Sequence, residues 1–93
     1  MIVATAEIRL YAPWVHSLKE KRMTVKSILA KVHNQFQVAV AETAENDMHQ
    51  TIVIGLACVA GNTAQADSVL EHVLNFIEEN TEAEITDIRR EIR

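Results

Sequence analysis

The sequence contains few of the residues that build disulfide frameworks, aromatic platforms or flexible repeats. Its 93 residues include one cysteine, one proline, two glycines, one tryptophan, one tyrosine and two phenylalanines. A single cysteine excludes an internal disulfide framework and a zinc finger built on cysteine pairs. The scarcity of glycine and proline argues against disorder and fibrous repeats. A chain of this length is typical of a single domain, here residues 1–93.

Long apolar runs are also missing. No stretch approaches the ~20 apolar residues that span a membrane, and the first residues lack the basic segment of a secretion signal. We expect the lone Cys58 to be a small buried strand residue. These features predict a cytoplasmic protein that does not interact with membranes.

Positive charge is unevenly distributed. Residues 34–88 contain ten acidic residues and no lysine or arginine, whereas residues 1–33 contain six cations and two acids. The net charge of −4 argues against a general polyanion binder, and we expect no specificity for DNA. Contact with an anion must therefore come from the first third of the chain or from the arginines of residues 89–93.

The order of predicted elements is strand, helix, strand, strand, helix, strand. Alternating apolar residues and helical spacing predict strands over 2–11, 36–43, 50–60 and 82–92, and helices over about 17–34 and 63–80. Asn46 and Asp47 are turn formers between the second and third strands. The order predicts an α+β, ferredoxin-like βαββαβ fold: a four-stranded antiparallel sheet with the first and third strands central and two helices on one face.

The start of the first helix carries an unusual cluster of cations. Ser17-Leu18-Lys19-Glu20 has the pattern of a capping box, so Ser17 is the expected cap. Helix starts favour acids because the macrodipole is positive there, and their free N–H groups suit a phosphate. The sequence therefore predicts an anion- or RNA-binding site of five residues: Ser17, Lys19, Lys21, Arg22 and Lys26.

Neutralisation within the molecule is the alternative for this cluster. The predicted topology brings acids of the hairpin and of the second helix to the same pole: Glu42, Glu45, Asp47, Glu78 and Glu79. Lys21 falls on the core side of the helical wheel, so its side chain must curl round the helix end or extend to solvent.

Two aromatic residues flank the entry to this helix. Tyr11 and Trp14 are positioned to stack on a base beside a bound phosphate. The alternative is that they cover the end of the core.

The uncovered sheet face is the second candidate surface. Alternation assigns Val3, Thr5, Val53 and Ala57 to this face. It has no mid-strand aromatics, which disfavours the base stacking used by RNA recognition motifs. A face of small, largely apolar residues favours a homodimer interface.

Catalytic and metal-binding patterns are not evident. The four histidines show no metal-ligand spacing. Acylphosphatases have this fold class but need a glycine-rich phosphate loop after the first strand, and residues 12–16 contain no glycine. We expect a non-enzymatic protein with no metal and no cofactor.

The run Ser17-Leu18-Lys19-Glu20-Lys21-Arg22 resembles the signature of the YlxP-like family, a bacterial family of unknown function. Residues 36–42 after the helix, Asp47, Gln50 and the step Ile54-Gly55 are also similar to that family. The resemblance covers nearly the whole chain. It implies a ferredoxin-like fold and a cytoplasmic location.

Genes of that family often lie beside those for translation initiation and ribosome maturation factors, so the resemblance also implies work on RNA. We therefore expect a small RNA- or ribosome-associated factor whose partner is structured RNA or a ribosomal subunit. The alternative is a homodimeric protein-interaction or small-ligand regulatory module that uses the open sheet face.

Overall fold

The computed structural model describes residues 1–45 and 47–93, so the predicted turn former Asn46 lies outside the described residues. The elements are β1 (Ile2–Tyr11), α1 (Leu18–Gln35), β2 (Ala39–Ala44), β3 (Thr51–Ala60), α2 (Thr63–Asn80) and β4 (Glu84–Ile92). The strands form one sheet in the order β2-β3-β1-β4, and all neighbouring strands are antiparallel. The predicted ferredoxin-like fold is confirmed, with β1 and β3 central.

The core lies between one sheet face and both helices. Alternate residues of the central strands are buried, as expected for a sheet with one covered face. Fully burying an Ile, Leu or Val side chain contributes about 1.5–3 kcal/mol before entropy is subtracted. The largest fully buried apolar side chains are Ile8, Leu10, Ile52, Ile54, Leu70, Ile77, Val15, Val32, Val53 and Val73.

The connection between α1 and β2 differs from the sequence prediction. Phe36, expected to begin a strand, is the C-cap of α1, and its N–H donates to the Val32 carbonyl over 2.9 Å. The Phe36 ring meets Phe76 of α2 edge to face, with centroids 5.4 Å apart. Because this aromatic contact holds Phe36 against α2, the strand begins only at Ala39.

Both helices begin at polar caps. The Ser17 hydroxyl accepts the Glu20 N–H over 3.1 Å, as the capping-box pattern predicts. At α2, Asn62 Oδ1 accepts the Gln65 N–H over 2.8 Å, and the Gln65 side chain accepts the Gly61 N–H over 3.0 Å. Neither helix has the length and apolarity needed to cross a membrane.

Candidate functional site

Lys21 lies inside the molecule. Its side chain is on the α1 face that carries Val25 and Ile28, and Lys21 is 1% exposed. Its Nζ lies 3.1 Å from the Glu42 Oε2 and donates to the Glu45 carbonyl. This side chain neither curls round the helix end nor extends to solvent, because β2 supplies a carboxylate directly beneath it. Lys21 is therefore a buried structural cation, and its assignment to an external anion site was wrong.

The Glu45 carbonyl links this ion pair to the β2–β3 hairpin. Glu45 has a φ of 57°, in the left-handed region that non-glycine residues seldom adopt. Its carbonyl also accepts the Met48 N–H over 3.1 Å. Lys21 thus fixes the first residue of the hairpin to the first turns of α1, and the predicted internal neutralisation holds for this one cation.

The other three predicted cations form an exposed row on α1. Lys19, Arg22 and Lys26 occupy positions i, i+3 and i+7, and all three are exposed. None of them forms an ion pair with a carboxylate in residues 1–45 or 47–93. We call these three residues the basic stripe. Ser17, assigned to the same site, uses its hydroxyl to cap the helix.

Tyr11 and Trp14 do not form one stacking surface. Tyr11 is 41% exposed and Trp14 38% exposed. Tyr11 lines a cleft beside the hairpin, whereas Trp14 lines a separate depression with Met23 and Lys31. The turn around Pro13 separates the two rings, so the structure does not bring them together.

The cleft beside the β2–β3 hairpin brings together several titratable side chains that the sequence analysis did not predict to lie in one site. It has a volume of about 470 Å³ and is lined by Tyr11, Val15, His16, Asp47, Met48, His49, Gln50 and Thr51. Its residues are brought together by the hydrogen bond from the Ala12 N–H to the Gln50 carbonyl and by the Gln50 amide donating to the Pro13 carbonyl. Across the described parts of the chain, no three His, Cys, Asp or Glu side chains cluster to hold a metal ion.

One half of the uncovered sheet face is charged. On the β1–β4 half, Glu7 is opposite Arg89 and Arg9 is opposite Asp87. Opposite charges facing each other across an antiparallel pair stabilise the pairing by about 0.2–1 kcal/mol at most. The register thus places opposite charges across from each other, while the ion pair within 4 Å joins Arg89 and Asp87 along β4 itself.

The β2–β3 half of the same face is small and apolar. A Cβ built on Gly55 would lie 2.5 Å from Thr43 Cγ2, so the Thr43 side chain occupies the space above Gly55. Thr43 sits at the register shift between Glu42 and Ala44. A shallow depression of about 550 Å³ crosses this face and is lined in part by Thr5, Gly55 and Ala57.

The residues that the sequence assigns to the uncovered sheet face differ in solvent exposure. Val3, Thr5 and Ala57 are half-buried, while Val53 is fully buried. Placing Val53 on an accessible interface was therefore wrong: Val53 lies between Arg9 of β1 and Ala44 of β2 in the sheet and is fully buried. Val59, 69% exposed, is the accessible apolar residue of β3.

The C-terminal arginines are paired within the molecule. Arg90 contacts Glu71 of α2, and Arg89 lies 3.4 Å from Asp87. The Arg93 guanidinium donates to both Glu91 oxygens over 3.1 Å, which lowers the pKa of that carboxyl from its ordinary value. These three arginines therefore form ion pairs with carboxylates, in contrast to the cations of the basic stripe.

Similar solved structures show the fold. The chain resembles the solution structure of LFR1 1, a de novo designed protein with a ferredoxin fold (TM-score 0.55, 19% identity, 100% of this chain and 86% of that one). It also resembles the de novo designed protein Foldit4 (TM-score 0.53, 16% identity, 97% of this chain and 94% of that one). Structural similarity at 16% and 19% sequence identity shows the fold alone.

Sequence comparison shows the family. The uncharacterized protein YlxP of Bacillus subtilis (strain 168) is 40% identical over 75 residues, which cover 81% of this chain and 82% of that protein. Residues 3–90 match the model of DUF503, described as a protein family of unknown function. The predicted resemblance is thus confirmed, and the chain belongs to the YlxP-like DUF503 family.

Proposed function

We propose that this protein is a cytoplasmic, non-enzymatic factor that binds structured RNA, free or within a ribosomal subunit, through the basic stripe of α1. One observation carries the proposal. Lys19, Arg22 and Lys26 share an exposed helix face and pair with no carboxylate of the described residues, although the protein has a net charge of −4. In such an acidic molecule, an unneutralised basic face is a specific location for an anionic partner.

The dimensions of the stripe suit contact with a phosphate backbone. Lys26 follows Lys19 by seven positions, which corresponds to about 10 Å along a helix axis. Flexible side chains spaced in this way reach neighbouring phosphates without reading base edges. Three such contacts predict a logarithmic salt slope of about −2 to −3.

RNA binding can be tested with a charge-neutralised variant. We expect Lys19→Gln/Arg22→Gln/Lys26→Gln to weaken binding to small-subunit ribosomal RNA and to a labelled RNA hairpin by about tenfold or more. The salt slope should also flatten. Fluorescence anisotropy between about 50 and 200 mM salt measures both quantities.

The matched control removes the same number of positive charges from the opposite pole. Arg89→Gln/Arg90→Gln/Arg93→Gln changes the net charge equally but acts on arginines that already contact Glu71, Asp87 and Glu91. Its RNA affinity should stay close to that of the unaltered protein. Equal weakening of RNA binding in both triple variants would show that the effect comes from net charge alone. The basic stripe would then not be the binding site.

A second candidate function uses the uncovered sheet face for homodimerisation. It is supported by the small apolar β2–β3 half of that face, with Ala57 half-buried and Val59 largely exposed. This candidate needs no nucleic acid and predicts a concentration-dependent dimer, which is tested at the scale of the whole molecule below.

A further inference from the structure

The cleft beside the β2–β3 hairpin, which we call the hairpin cleft, combines flat rings with hydrogen-bonding side chains. Three of its lining residues carry rings, Tyr11, His16 and His49, and two carry a carboxylate and an amide, Asp47 and Gln50. Its volume of about 470 Å³ is in the usual range of small-ligand pockets. Aromatic and imidazole rings stack on nucleobases, while amides and carboxylates bond to base edges. The composition of the cleft therefore suits an unpaired base.

Tyr11 offers its ring to a partner outside the molecule. It is the last residue of β1, and its chain neighbours Leu10 and Ala12 are fully buried. Tyr11 itself is 41% exposed. Among the described residues, its side chain has neither an aromatic partner nor a hydrogen bond. The ring is therefore free to stack on a flat ligand in the cleft.

Hydrogen bonds hold the lining of the cleft in place. The Ala12 N–H donates to the Gln50 carbonyl over 2.8 Å, and the Gln50 side-chain nitrogen donates to the Pro13 carbonyl over 3.0 Å. The second bond fixes the amide of Gln50, and no described residue donates to its Oε1. A fixed acceptor costs little entropy when a ligand binds. Gln50 thus provides an ordered acceptor for an amino group.

Charge distinguishes the hairpin cleft from the basic stripe. Asp47 places an exposed carboxylate in the cleft lining and forms no ion pair with a described residue. A carboxylate repels phosphate but accepts hydrogen bonds from the amino groups of bases. The basic stripe consists only of cations. The stripe therefore suits the phosphates of a nucleotide, and the cleft suits its base.

The two surfaces lie at the same end of α1. His16 of the cleft comes directly before the Ser17 cap, and Lys19 follows His16 by three positions. Their Cα atoms are therefore at most about 11 Å apart. The hairpin is also joined to α1, because the Glu45 carbonyl accepts from the Lys21 Nζ. A nucleotide bound at Lys19 is thus close enough to place a neighbouring base in the cleft.

We propose that the hairpin cleft binds one unpaired nucleobase of the RNA whose phosphates contact the basic stripe. The base stacks on Tyr11, and its amino group donates to Gln50 and Asp47. This inference rests on the RNA-binding proposal and names the feature that is recognised, a bulged or looped-out base beside a stem. Phosphate contacts alone do not distinguish such an RNA from a plain duplex.

Three RNA stems that differ at one position test the proposal with the unaltered protein. The first carries a single bulged adenine, the second an abasic residue in its place, and the third is fully paired. We expect the bulged-adenine stem to bind at least about fivefold more tightly than the other two, because stacking on an aromatic side chain stabilises a bound base. Fluorescence anisotropy measures the three affinities. The abasic stem separates recognition of the base from recognition of the bend.

Substitution of aromatic residues locates the site. Tyr11→Leu should remove the preference for the bulged stem and leave affinity for the paired stem unchanged. Trp14→Leu is the matched control, since Trp14 is 38% exposed and lines a separate depression, and it should keep the preference. Tyr11→Phe retains the ring and should keep the preference as well. The glutamine triple variant of the basic stripe should weaken bulged and paired stems by the same factor.

Two results with the unaltered protein overturn the proposal: equal affinity for the bulged and abasic stems, or binding of none of the stems. A preference that persists in Tyr11→Leu, or that Trp14→Leu removes equally, also overturns it. The RNA-binding proposal fails separately. Unchanged affinity of the glutamine triple variant for all stems removes the basic stripe, whereas a full effect of that variant without any bulge preference removes only the hairpin cleft.

Discussion

Lys21 contributes to stability through contacts that its neighbours on α1 do not make. Its ammonium group is buried against Glu42 and the Glu45 carbonyl, at the point where the hairpin leaves β2. Removing one partner of a buried ion pair leaves the other desolvated without compensation. The exposed Lys19, two residues earlier, has no such partner in the described part of the chain.

Replacing Lys21 should therefore destabilise the protein. We expect Lys21→Met to lower the free energy of unfolding in urea by about 2–3 kcal/mol, because Glu42 loses its cation but keeps some contact with water. Lys19→Met, the control, should change it by less than about 0.5 kcal/mol. Adding Glu42→Gln to Lys21→Met should recover part of the loss. Equal effects of the two lysine substitutions would contradict a structural role for Lys21.

At the scale of elements, the residue that caps α1, Ser17, was predicted both to cap the helix and to bind an anion. The Ser17 hydroxyl accepts the Glu20 N–H and so satisfies one of the free donors of the first turn. The basic stripe starts within the same turn, at Lys19. Stability of this turn therefore determines where the first cation of the stripe lies.

The cap can be tested independently of the cations. We expect Ser17→Ala to lower the free energy of unfolding by about 1 kcal/mol, the usual cost of losing a serine cap. Ser27→Ala, in the exposed middle of the same helix, should be neutral or slightly stabilising. Thermal or urea denaturation measures both. A cap variant as stable as the original protein would show that α1 is held in place by its packing alone.

At the scale of the whole molecule, both helices cover one sheet face and leave the other open. The open face joins a charged β1–β4 half to a small apolar β2–β3 half. A homodimer through the apolar half would bury Ala57 and Val59 while leaving the cross-strand charge pairs in water.

Val59→Glu tests this interface without disturbing the core. We expect the unaltered protein to dimerise in light scattering and the variant to be monomeric with an unchanged circular dichroism spectrum, because the Val59 side chain is exposed. Asn75→Glu, on the exposed side of α2, is the control and should still dimerise. Val53→Glu is unsuitable, since a charge at a fully buried position unfolds the protein. A monomeric unaltered protein removes the dimer candidate.

The sequence predicted the order and type of the elements because apolar periodicity and capping residues act locally. The alternation in β1 and the Ser17 capping box are read from neighbouring residues, and both are present in the structure. The start of β2 differs from the prediction because Phe36 caps α1 and packs on Phe76, a residue forty positions away in the chain. Periodicity within a segment contains no information on such a contact.

Local pattern thus determined the ferredoxin-like fold, the central and edge strands and an exposed row of cations on α1. Tertiary structure alone decided which cations are buried: Lys21 is neutralised because β2 brings Glu42 beneath it, while Lys19, Arg22 and Lys26 are exposed. It also decided that Val53 is buried and that Tyr11 lies in one cleft with the β2–β3 hairpin. These outcomes depend on distances between residues far apart in the chain, which are fixed only when the sheet and helices pack together.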